Sequence, residues 1–511
     1  MKIAVIGSGL AGLTTAAALA QAGHDVAVLE QYHQVGGVTL SYERDGFRWD
    51  LGQLMVEGLG PDEPVGALLK SLGVADKIRL RKDDRGYVFP DFEIKKPAEF
   101  SGCRWRMERL KELFPEEAAG LERYWQDYVR FTRLMTIGRK MEGARGIEKL
   151  RLQAQLYSTL LPFLPKINWS AKKLMDSYFS SEKLKTVFIS ILADFFTPPS
   201  RFQGLGVFQI NPETSFDCRM PKELENGAEQ LYQYSVLGGI NTLVQALVEK
   251  IRDCGGRIFT NCVVDKILVV DGRVTGVEDR DGNHFPAEVV VASGGAKETF
   301  LKLVGEQYLP MDFTTRVHDL PLMDSVFMLH LGVDFDPSPF LHGPVTYFYG
   351  TYQVENGITE AKQGIYHEGR GGFVVHAPTL HSPEMAPNGR HALTIYTICP
   401  DRLKDGSWKE SRLELADKLM DYAEKHIPGL RQHTVVRVIL TPEDFRARTL
   451  TEHHAFAGLA PFQNARRIPH QTPIHGLWFV GAQSESGGGV SAVMLGGSKT
   501  ARLINSHDHK S

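Results

Sequence analysis

The sequence lacks long hydrophobic runs, paired cysteines and an excess of charge of either sign. No run approaches about 18 uninterrupted apolar residues, so no transmembrane helix is predicted. The five cysteines are odd in number and include no CxxC pair, which argues against a disulfide framework or a zinc site. A net charge of −3 gives no basis for binding nucleic acid. These absences predict a cytoplasmic protein without a metal site or a nucleic-acid partner.

The motifs of several large enzyme classes are absent as well. The sequence contains no nucleophile elbow, no P-loop and no metal-ligand spacing. Its composition, 42% hydrophobic and 23% charged, is that of an ordinary globular protein. A length of 511 residues exceeds one small domain and favours two domains. The motifs described below indicate that segments of these two domains alternate along the chain.

What the chain does have is a glycine pattern near its start. The apolar run Lys2–Ile6 is predicted as a buried parallel strand. Gly7, Gly9 and Gly12 follow as GxGxxG and lead into LTTAAALAQAG, which has helical composition. The first glycine permits a tight turn, the second brings backbone close to a pyrophosphate, and the third lets the helix pack on the strand. The N–H groups at the helix start then hold the phosphates.

An acidic residue stands where a dinucleotide site requires one. A second predicted strand, Asp25–Leu29, is followed directly by Glu30. A carboxylate in this place accepts hydrogen bonds from both ribose hydroxyls and disfavours a 2′-phosphate. A glycine-tolerant surface turn, the alternative interpretation, would not require this acid. The opening therefore predicts a site for FAD or NAD rather than NADP.

Two following segments, QVGG and YERDGFRWDLG, decide between FAD and NAD. With the glycine motif and the acid, they resemble the N-terminal signature of the flavoprotein superfamily of amine oxidases and phytoene desaturases. Gly36 and Gly37 match the GG of that signature, and Asp45–Gly46–Phe47 matches part of its hairpin. The resemblance implies FAD, with Gly37 against the pyrophosphate and ribose. The arginine or lysine that often follows the GG is Val38 here, so a phosphate-pairing cation is either missing or supplied from elsewhere.

A middle segment is predicted to return to the nucleotide-binding domain. Asn241–Cys254 has the apolar face of a helix, and short strands separated by DGR and DGN turns follow it. The resemblance places Val264 on the adenine through its backbone and runs the strand Glu288–Ala292 beside the cofactor. An unrelated α+β module is the alternative for this stretch.

The segment IHGLWFVGAQSESGGGVSAV resembles the closing motif of phytoene desaturases, GAxTHPGGGVxGxxxSG. Leu477–Val480 is predicted as a buried strand, and a helix is predicted to begin near Gly489–Val490. N–H groups at that helix start stabilise the negative charge of reduced flavin. Glu485 and Ser486 replace the histidine and proline of the motif, at the place where substrate should meet flavin.

The glycine patterns and the resemblance together predict the fold and the cofactor contacts. The fold class is α/β, with a Rossmann-type, glutathione-reductase-like FAD-binding domain (1–65, 226–305 and 441–511) interleaved with an α+β substrate domain (66–225 and 306–440). The residues predicted to contact FAD are Gly7, Gly9, Leu10, Ala11, Gly12, Glu30, Gln31, Gly36, Gly37, Val38, Val264, Gly481, Ala482, Gly489, Val490 and Ser491.

Residues 121–186 of the substrate domain are predicted to form a helical cap. Between residues 130 and 185 there are twelve lysines and arginines against four acidic residues, interleaved with leucines and aromatics. Basic amphipathic helices favour contact with an anionic membrane surface, from which a lipid substrate could enter. A cap with a solvated basic face is the alternative.

The opening and closing motifs look closer to phytoene desaturases, carotenoid isomerases and retinol saturases than to amine oxidases. The resemblance implies action on carbon–carbon bonds of a long hydrophobic polyprenoid or carotenoid-like substrate, by desaturation, saturation or isomerisation through hydride exchange with flavin N5. An FAD-dependent amine or amino-acid oxidase and a non-catalytic flavoprotein are the alternatives. The motifs leave the reaction direction, the electron acceptor and the oligomeric state open.

Two side chains are candidate acid–base groups for this chemistry. A proton must leave or arrive when hydride moves to or from carbon, and a carboxylate or an imidazole can carry it. Glu485 lies in the predicted flavin-facing loop, and His454 lies in TEHHAFAG shortly before it. Glu485 is predicted to stand on the substrate side of the flavin. A solvated loop glutamate and a histidine that caps or lines a loop are the alternatives.

Overall fold

The computed structural model of the protein describes residues 1–52, 55–141, 143–463 and 465–508. The strands, in chain order, are β1 (Lys2–Ile6), β2 (Asp25–Leu29), β3 (Ser41–Arg44), β4 (Phe47–Asp50), β5 (Val56–Glu57), β6 (Leu80–Asp83), β7 (Arg85–Val88), β8 (Glu93–Ile94), β9 (Gln233–Val236), β10 (Arg257–Phe259), β11 (Val264–Val270), β12 (Arg273–Asp279), β13 (His284–Pro286), β14 (Val289–Ser293), β15 (Ser325–Val333), β16 (Val345–Phe348), β17 (Phe373–His376), β18 (His391–Cys399), β19 (Thr434–Leu440) and β20 (Leu477–Val480). The α-helices are α1 (Leu10–Gln21), α2 (Pro64–Ser71), α3 (Trp105–Leu113), α4 (Ala118–Met141), α5 (Gly146–Leu160), α6 (Ala171–Tyr178), α7 (Glu182–Ile189), α8 (Gly206–Ile210), α9 (Asn241–Asp253), α10 (Met311–His318), α11 (Val354–Lys362), α12 (Trp408–Glu424), α13 (Pro442–Thr449) and α14 (Val490–Asp508).

Five strands from distant parts of the chain form one parallel sheet. Their order is β10–β2–β1–β14–β20, and each neighbouring pair runs parallel. These strands are rich in valine and isoleucine, as expected of strands covered on both faces. The sheet joins segments 2–29, 257–293 and 477–480, which the sequence assigned to one nucleotide-binding domain. The predicted Rossmann-type α/β fold is therefore confirmed.

Alternate residues of this sheet pack into two different layers, because side chains along a strand point to opposite faces. Val5 and Val28 pack on one face with residues of helices α1, α9 and α14. Ala4 and Val290 pack on the other face with residues of the antiparallel sheet β11–β12–β13. The parallel sheet is thus buried between two layers, and its carboxyl edge is left to form a site.

The substrate domain is built on a seven-stranded mixed sheet. Its order is β19–β15–β18–β17–β16–β7–β8, and only the β16–β7 pair is parallel among the described strands of this sheet. One face packs on α12, with Trp408 in its core. The other face packs on an aromatic core that includes residues of helices α3, α4, α6, α7 and α8. This second layer contains the helices predicted as the cap.

Helix α2 belongs to a different domain from the one predicted. Residues 66–72 were expected in the substrate domain, but Leu68, Leu69 and Leu72 pack in the same core as α1, α9 and α14. The apolar face of α2 is buried against α14. Hydrophobic burial therefore extends the first segment of the nucleotide-binding domain past residue 65. In the ranges that the structure describes, no helix is both long and apolar enough to cross a bilayer.

Candidate cofactor site

A cavity of about 860 Å³ lies at the carboxyl edge of the parallel sheet. Gly7, Glu30, Gly294 and Gly481 each follow one strand of that sheet, and all four line the cavity. Ligands of open parallel sheets bind outside the carboxyl ends of the strands, because the loops there converge. The cavity is therefore the site that the glycine pattern predicts.

The GxGxxG turn packs as tightly as its glycines suggested. A Cβ atom on Gly12 would lie 2.2 Å from the carbonyl oxygen of Gly7, so only glycine fits between the turn and α1. A Cβ atom on Gly9 would meet nothing closer than Ser293 Oγ at 3.9 Å, because this residue faces the cavity. Gly9 caps α1 without a side-chain hydrogen bond. The first N–H groups of α1 are thus available to phosphate oxygens.

Glu30 is buried at the centre of this loop and is 4% exposed. Its Oε2 accepts hydrogen bonds from the Ser8 N–H (2.9 Å) and the Ser8 hydroxyl (2.5 Å). Its Oε1 accepts one from the Tyr32 N–H at 2.8 Å. An ionised carboxylate can accept about four hydrogen bonds, so these three leave capacity for a ribose hydroxyl. Glu30 therefore shapes the loop as well as lining the cavity.

The structure brings most of the predicted cofactor residues together. Those that line the cavity are Gly7, Gly9, Leu10, Ala11, Glu30, Gln31, Gly37, Val38, Val264, Gly481, Ala482, Gly489 and Val490. Helix α14 begins at Val490, which lines the cavity, as does Val264 on β11. The helix start that is predicted to face the flavin is thus at the cavity.

Three predicted residues lie outside the lining. Gly12 supports the turn from behind, and the Gly36 N–H donates to the Ser8 carbonyl at 3.1 Å. The Ser491 hydroxyl donates to the Glu57 carbonyl. The Ser491 side chain is therefore engaged within the protein, and the predicted contact of its backbone N–H with the flavin stays a prediction.

The residues present fit FAD. Gly9 leaves an open cradle for phosphate, Glu30 keeps acceptor capacity for ribose, and the buried Arg448 Nη2 nitrogen has no hydrogen-bond partner among the described residues. The start of α14 supplies donors at the far end. A dinucleotide with an anionic middle and an acceptor-rich ring at one end matches these groups.

Comparison with known proteins decides the family. The family model described as flavin containing amine oxidoreductase matches residues 10–505. The chain belongs to this family. It is an FAD-dependent oxidoreductase, as the motifs predicted.

Several relatives of known name match nearly the entire flavoprotein chain. Pyridine nucleotide-disulfide oxidoreductase domain-containing protein 2 of Rattus norvegicus is 26% identical, over 95% of this chain and 90% of its own length. Prolycopene isomerase 1 of an Oncidium hybrid cultivar is also 26% identical, over 98% and 83%. A lycopene-forming phytoene desaturase of Pseudescherichia vulneris is 25% identical, over 98% and 99%.

Solved structures of similar fold cover the same length. An oxidoreductase from Methanosarcina mazei superposes with a TM-score of 0.62 at 20% identity, over 99% of this flavoprotein and 100% of that chain. A triple mutant of putrescine oxidase superposes with a TM-score of 0.61 at 15% identity, over 99% of each chain. At these identities the likeness establishes the fold alone.

Contrary to the prediction, Glu485 does not face the cavity of this flavoprotein. Among the described residues it is absent from the lining, and its side chain is 36% exposed. Its Oε1 pairs with Lys499 Nζ at 2.9 Å, and its N–H donates to the Ile468 carbonyl at 2.7 Å. The loop turns its side chain toward α14 and solvent, where Lys499 stabilises the charge. This placement argues against direct contact with a substrate on the flavin.

His454 lines the cavity, as predicted, but its surroundings keep it neutral. It is 4% exposed and stacks on Phe445, with ring centroids 4.5 Å apart. Its Nδ1 lies 2.6 Å from Ser325 Oγ. Burial lowers the pKa of His454 to about 3, so the imidazole carries no proton to donate as an acid near neutral pH. A catalytic role for His454 stays a prediction. At neutral pH that role would be a hydrogen bond from a neutral imidazole.

Sequence reasoning missed residues that reach the cavity from far along the chain. Ser293 ends β14, Gly294 and Gly295 follow it, and the SGG at the end of a β-branched run was a usable signal for them. Gln483 lines the cavity, where its Oε1 accepts from the Ala296 N–H at 2.8 Å. Arg448 carried no signal, because nothing near it in sequence resembles a nucleotide motif.

We expect Glu30→Ala to weaken FAD binding by on the order of 2–3 kcal/mol, roughly thirty- to a hundredfold. The change removes ribose acceptors and leaves the Ser8 N–H unpaired in the loop. Titration of the apoprotein with FAD, followed by flavin fluorescence, measures the effect. Glu43→Ala is the control, because the Glu43 side chain is 62% exposed. Equal affinities for both variants would mean that Glu30 does not contact the cofactor.

Proposed function

We propose that this oxidoreductase acts on carbon–carbon bonds of a long hydrophobic, polyprenoid or carotenoid-like substrate. The observation that carries the proposal is the aromatic core of the substrate domain, which reaches the wall of the cavity. Phe456 lines the cavity, and its ring centroid lies 5.9 Å from that of Tyr396 on β18. Tyr347 and Tyr349 continue the same aromatic core toward Tyr352 near the surface. A long apolar chain suits such walls, and relatives named as phytoene desaturase and prolycopene isomerase support this substrate class.

The chain's own residues position the substrate and exclude water. FAD, when bound, supplies the two-electron chemistry at carbon. The buried aromatic side chains next to the cavity would orient an apolar chain and exclude water from it. His454 and Ser325 offer a neutral polar pair at the cavity wall, which suits a hydrogen bond rather than proton donation near neutral pH.

A second candidate, an amine oxidase, is favoured by one polar group in the same core. The Tyr396 hydroxyl donates to Asp194 Oδ2 at 3.3 Å. Burial raises the pKa of Asp194 to about 7, so an isolated charge there is costly. A cationic amine would compensate that carboxylate, with tyrosine faces around it. The family description fits this alternative as well.

Anaerobic titration of the FAD-loaded protein distinguishes action on a polyprenoid from amine oxidation. Phytoene in detergent micelles and putrescine are added separately, while the flavin absorbance is followed and extracted lipid is analysed by mass spectrometry. We expect phytoene to reduce the flavin and to lose two hydrogens. Reduction by putrescine alone, with peroxide formed in air, would contradict the proposal. Asp194→Asn is expected to abolish any amine-dependent reduction and to leave the reduction by phytoene in place.

We further infer that the cap contacts anionic membranes, through a face formed by α5 and the turn Leu161–Lys166 after it. Ile147, Leu150, Tyr157 and Leu161 are 86%, 66%, 68% and 62% exposed. They fall on one side of the helix, at spacings of three, seven and four residues. Leu152, on the opposite side, is buried. We call the four exposed residues the apolar face.

Charge around the apolar face favours lipid as its partner. Arg145, Lys149 and Arg151 are exposed beside it. Exposed apolar side chains flanked by basic ones bind the headgroup region of anionic bilayers. Because a polyprenoid substrate dissolves in lipid, such contact would give the substrate domain access to it.

We expect the protein to sediment with vesicles of phosphatidylserine and phosphatidylcholine at low salt. Replacing all four residues of the apolar face by serine should reduce the bound fraction at least about tenfold. High salt should weaken the contact too, because surface charges are screened within about 10 Å at 0.1 M.

The control replaces two exposed apolar residues outside the cap, Met311 and Leu413, by serine; they are 85% and 65% exposed. Equal binding by the control and by the apolar-face variant, or no binding at low salt, would overturn the inference.

A further inference from the structure

The cation that commonly follows the GG of this signature is absent, since Val38 stands there. Gly37 nevertheless lies against the glycine turn, where a Cβ on it would be 3.2 Å from the Gly9 Cα. A pyrophosphate placed there carries two negative charges next to backbone donors alone. A buried or half-buried dianion is expected to have a cationic partner as well.

Arg448, near the end of α13, reaches this point from 411 residues along the chain. Its Nε donates to the Gly37 carbonyl at 2.8 Å. Its guanidinium lies over the Tyr32 ring, with Cζ 4.4 Å from the centroid. Gln31 Nε2 donates to the Arg448 carbonyl at 2.8 Å, which ties α13 to the strand end after Glu30. These contacts fix the guanidinium on the wall of the cavity, beside the glycine turn.

The guanidinium has hydrogen-bond donors to spare. Of its five N–H groups, the one on Nε is engaged, and Nη2 is buried without a hydrogen-bond partner among the described residues. Burial is the largest effect on the pKa of Arg448 and lowers it, whereas the nearby Glu30 carboxylate acts in the opposite direction and favours the charge.

Other cations of the cavity lining are differently placed. Lys302 Nζ pairs with Glu452 at 2.6 Å, and Lys266 Nζ pairs with Glu278 at 3.3 Å. Arg280 also lines the cavity, and its N–H donates to the Val263 carbonyl, next to Val264. Within the described lining, Arg448 is the cation with a hydrogen bond to the GG segment.

We propose that Arg448 replaces the missing cation of the GG signature and pairs with the pyrophosphate of FAD. The guanidinium fork suits two phosphate oxygens, and its bond to Gly37 holds it at the turn where the phosphates lie. This inference concerns the cofactor and does not depend on the substrate proposed above. A failure of the polyprenoid assay would leave it untouched.

The test measures cofactor affinity of the apoprotein, without turnover. FAD, riboflavin and ADP are titrated into the wild type, Arg448→Gln and Arg448→Lys. We expect Arg448→Gln to bind FAD and ADP at least tenfold more weakly and riboflavin within twofold of wild type, because riboflavin has no phosphate. Arg448→Lys should recover part of the loss, since it keeps the charge but not the fork. The affinity of the wild type for FAD should also fall more steeply with salt than that of Arg448→Gln.

Arg402→Gln is the matched control, because it removes the same charge from a side chain that is 71% exposed. Thermal unfolding of each apoprotein checks that the variants fold, and Arg448→Lys keeps the test valid if the glutamine variant does not. Equal losses for FAD and riboflavin would overturn the proposal, since they would indicate a general disturbance of the site. Unchanged FAD affinity in Arg448→Gln would overturn it as well.

Discussion

Gly12→Ala is expected to destabilise the protein by about 3 kcal/mol, whereas Gly9→Ala should keep the fold and lose the cofactor. The new methyl group at Gly12 would lie 2.2 Å from the Gly7 carbonyl oxygen, which is backbone and cannot rotate away. The same group at Gly9 meets only Ser293 Oγ at 3.9 Å and points into the cavity. One substitution therefore disrupts packing, and the other fills the phosphate cradle.

Urea unfolding of the apoproteins and titration with FAD measure the two effects separately. For Gly9→Ala we expect a change in the free energy of unfolding of about 1 kcal/mol or less, with FAD affinity lowered roughly a hundredfold. Gly138→Ala in α4 is the control, because a Cβ there meets nothing within 4 Å. If Gly12→Ala and Gly9→Ala had the same effects on the free energy of unfolding and on FAD affinity, this account of the turn would be wrong.

Glu213→Gln is expected to destabilise the substrate domain by about 3–5 kcal/mol, because it leaves a buried arginine without its counterion. The side chains of Arg106 and Glu213 are 0% and 1% exposed. Arg106 Nη2 donates to Glu213 Oε1 at 2.6 Å, and Nε donates to Oε2 at 3.0 Å. Phe216 lies over the guanidinium, with its ring centroid 4.2 Å from Cζ. The Arg106 charge would therefore be unpaired and still buried after the substitution.

A double-mutant cycle checks that the cost comes from an unpaired charge. Arg106→Met with Glu213→Leu should cost less than either single change, since an apolar pair leaves no charge to desolvate. Free energies of unfolding from urea titration give the coupling directly. Strictly additive losses would show that the two side chains are stabilised independently of each other.

The cap helices connect the proposed substrate class with the proposed membrane contact. Tyr124, Trp125 and Tyr128 of α4 are buried in the aromatic core, while Ile147, Leu150 and Tyr157 of α5 are exposed. A helix with apolar side chains on its outer face is not explained by packing within one chain. The same cap therefore provides the inner wall of the aromatic core and the surface proposed to meet lipid.

Local pattern determined much of the cofactor site. The strands Lys2–Ile6, Asp25–Leu29 and Leu477–Val480 have the predicted bounds, and α14 begins at Val490 as expected. The predicted helix Asn241–Cys254 ends one residue earlier, at Asp253. Short β-branched runs that end in glycine have few alternative conformations, and their glycines are dictated by contacts within a few residues. The sequence was sufficient here because the residues that determine each strand and turn lie close together along the chain.

The tertiary structure decided what depends on the direction of a side chain or on distant segments. Glu485 stands in the predicted loop, yet its side chain pairs with Lys499 and is absent from the cavity lining. Lys499 lies on α14, fourteen residues further along the chain, so the local sequence pattern does not show this pairing.

Arg448 is the clearest case, because 411 residues separate it from the Gly37 carbonyl that it binds. Such a contact is fixed by how α13 packs on the nucleotide-binding domain, where many weak interactions of the whole core act together. The sequence by itself determined the family, the cofactor and the loop that holds it. The fold alone decided which cation stands beside that loop and which side chains line the cavity.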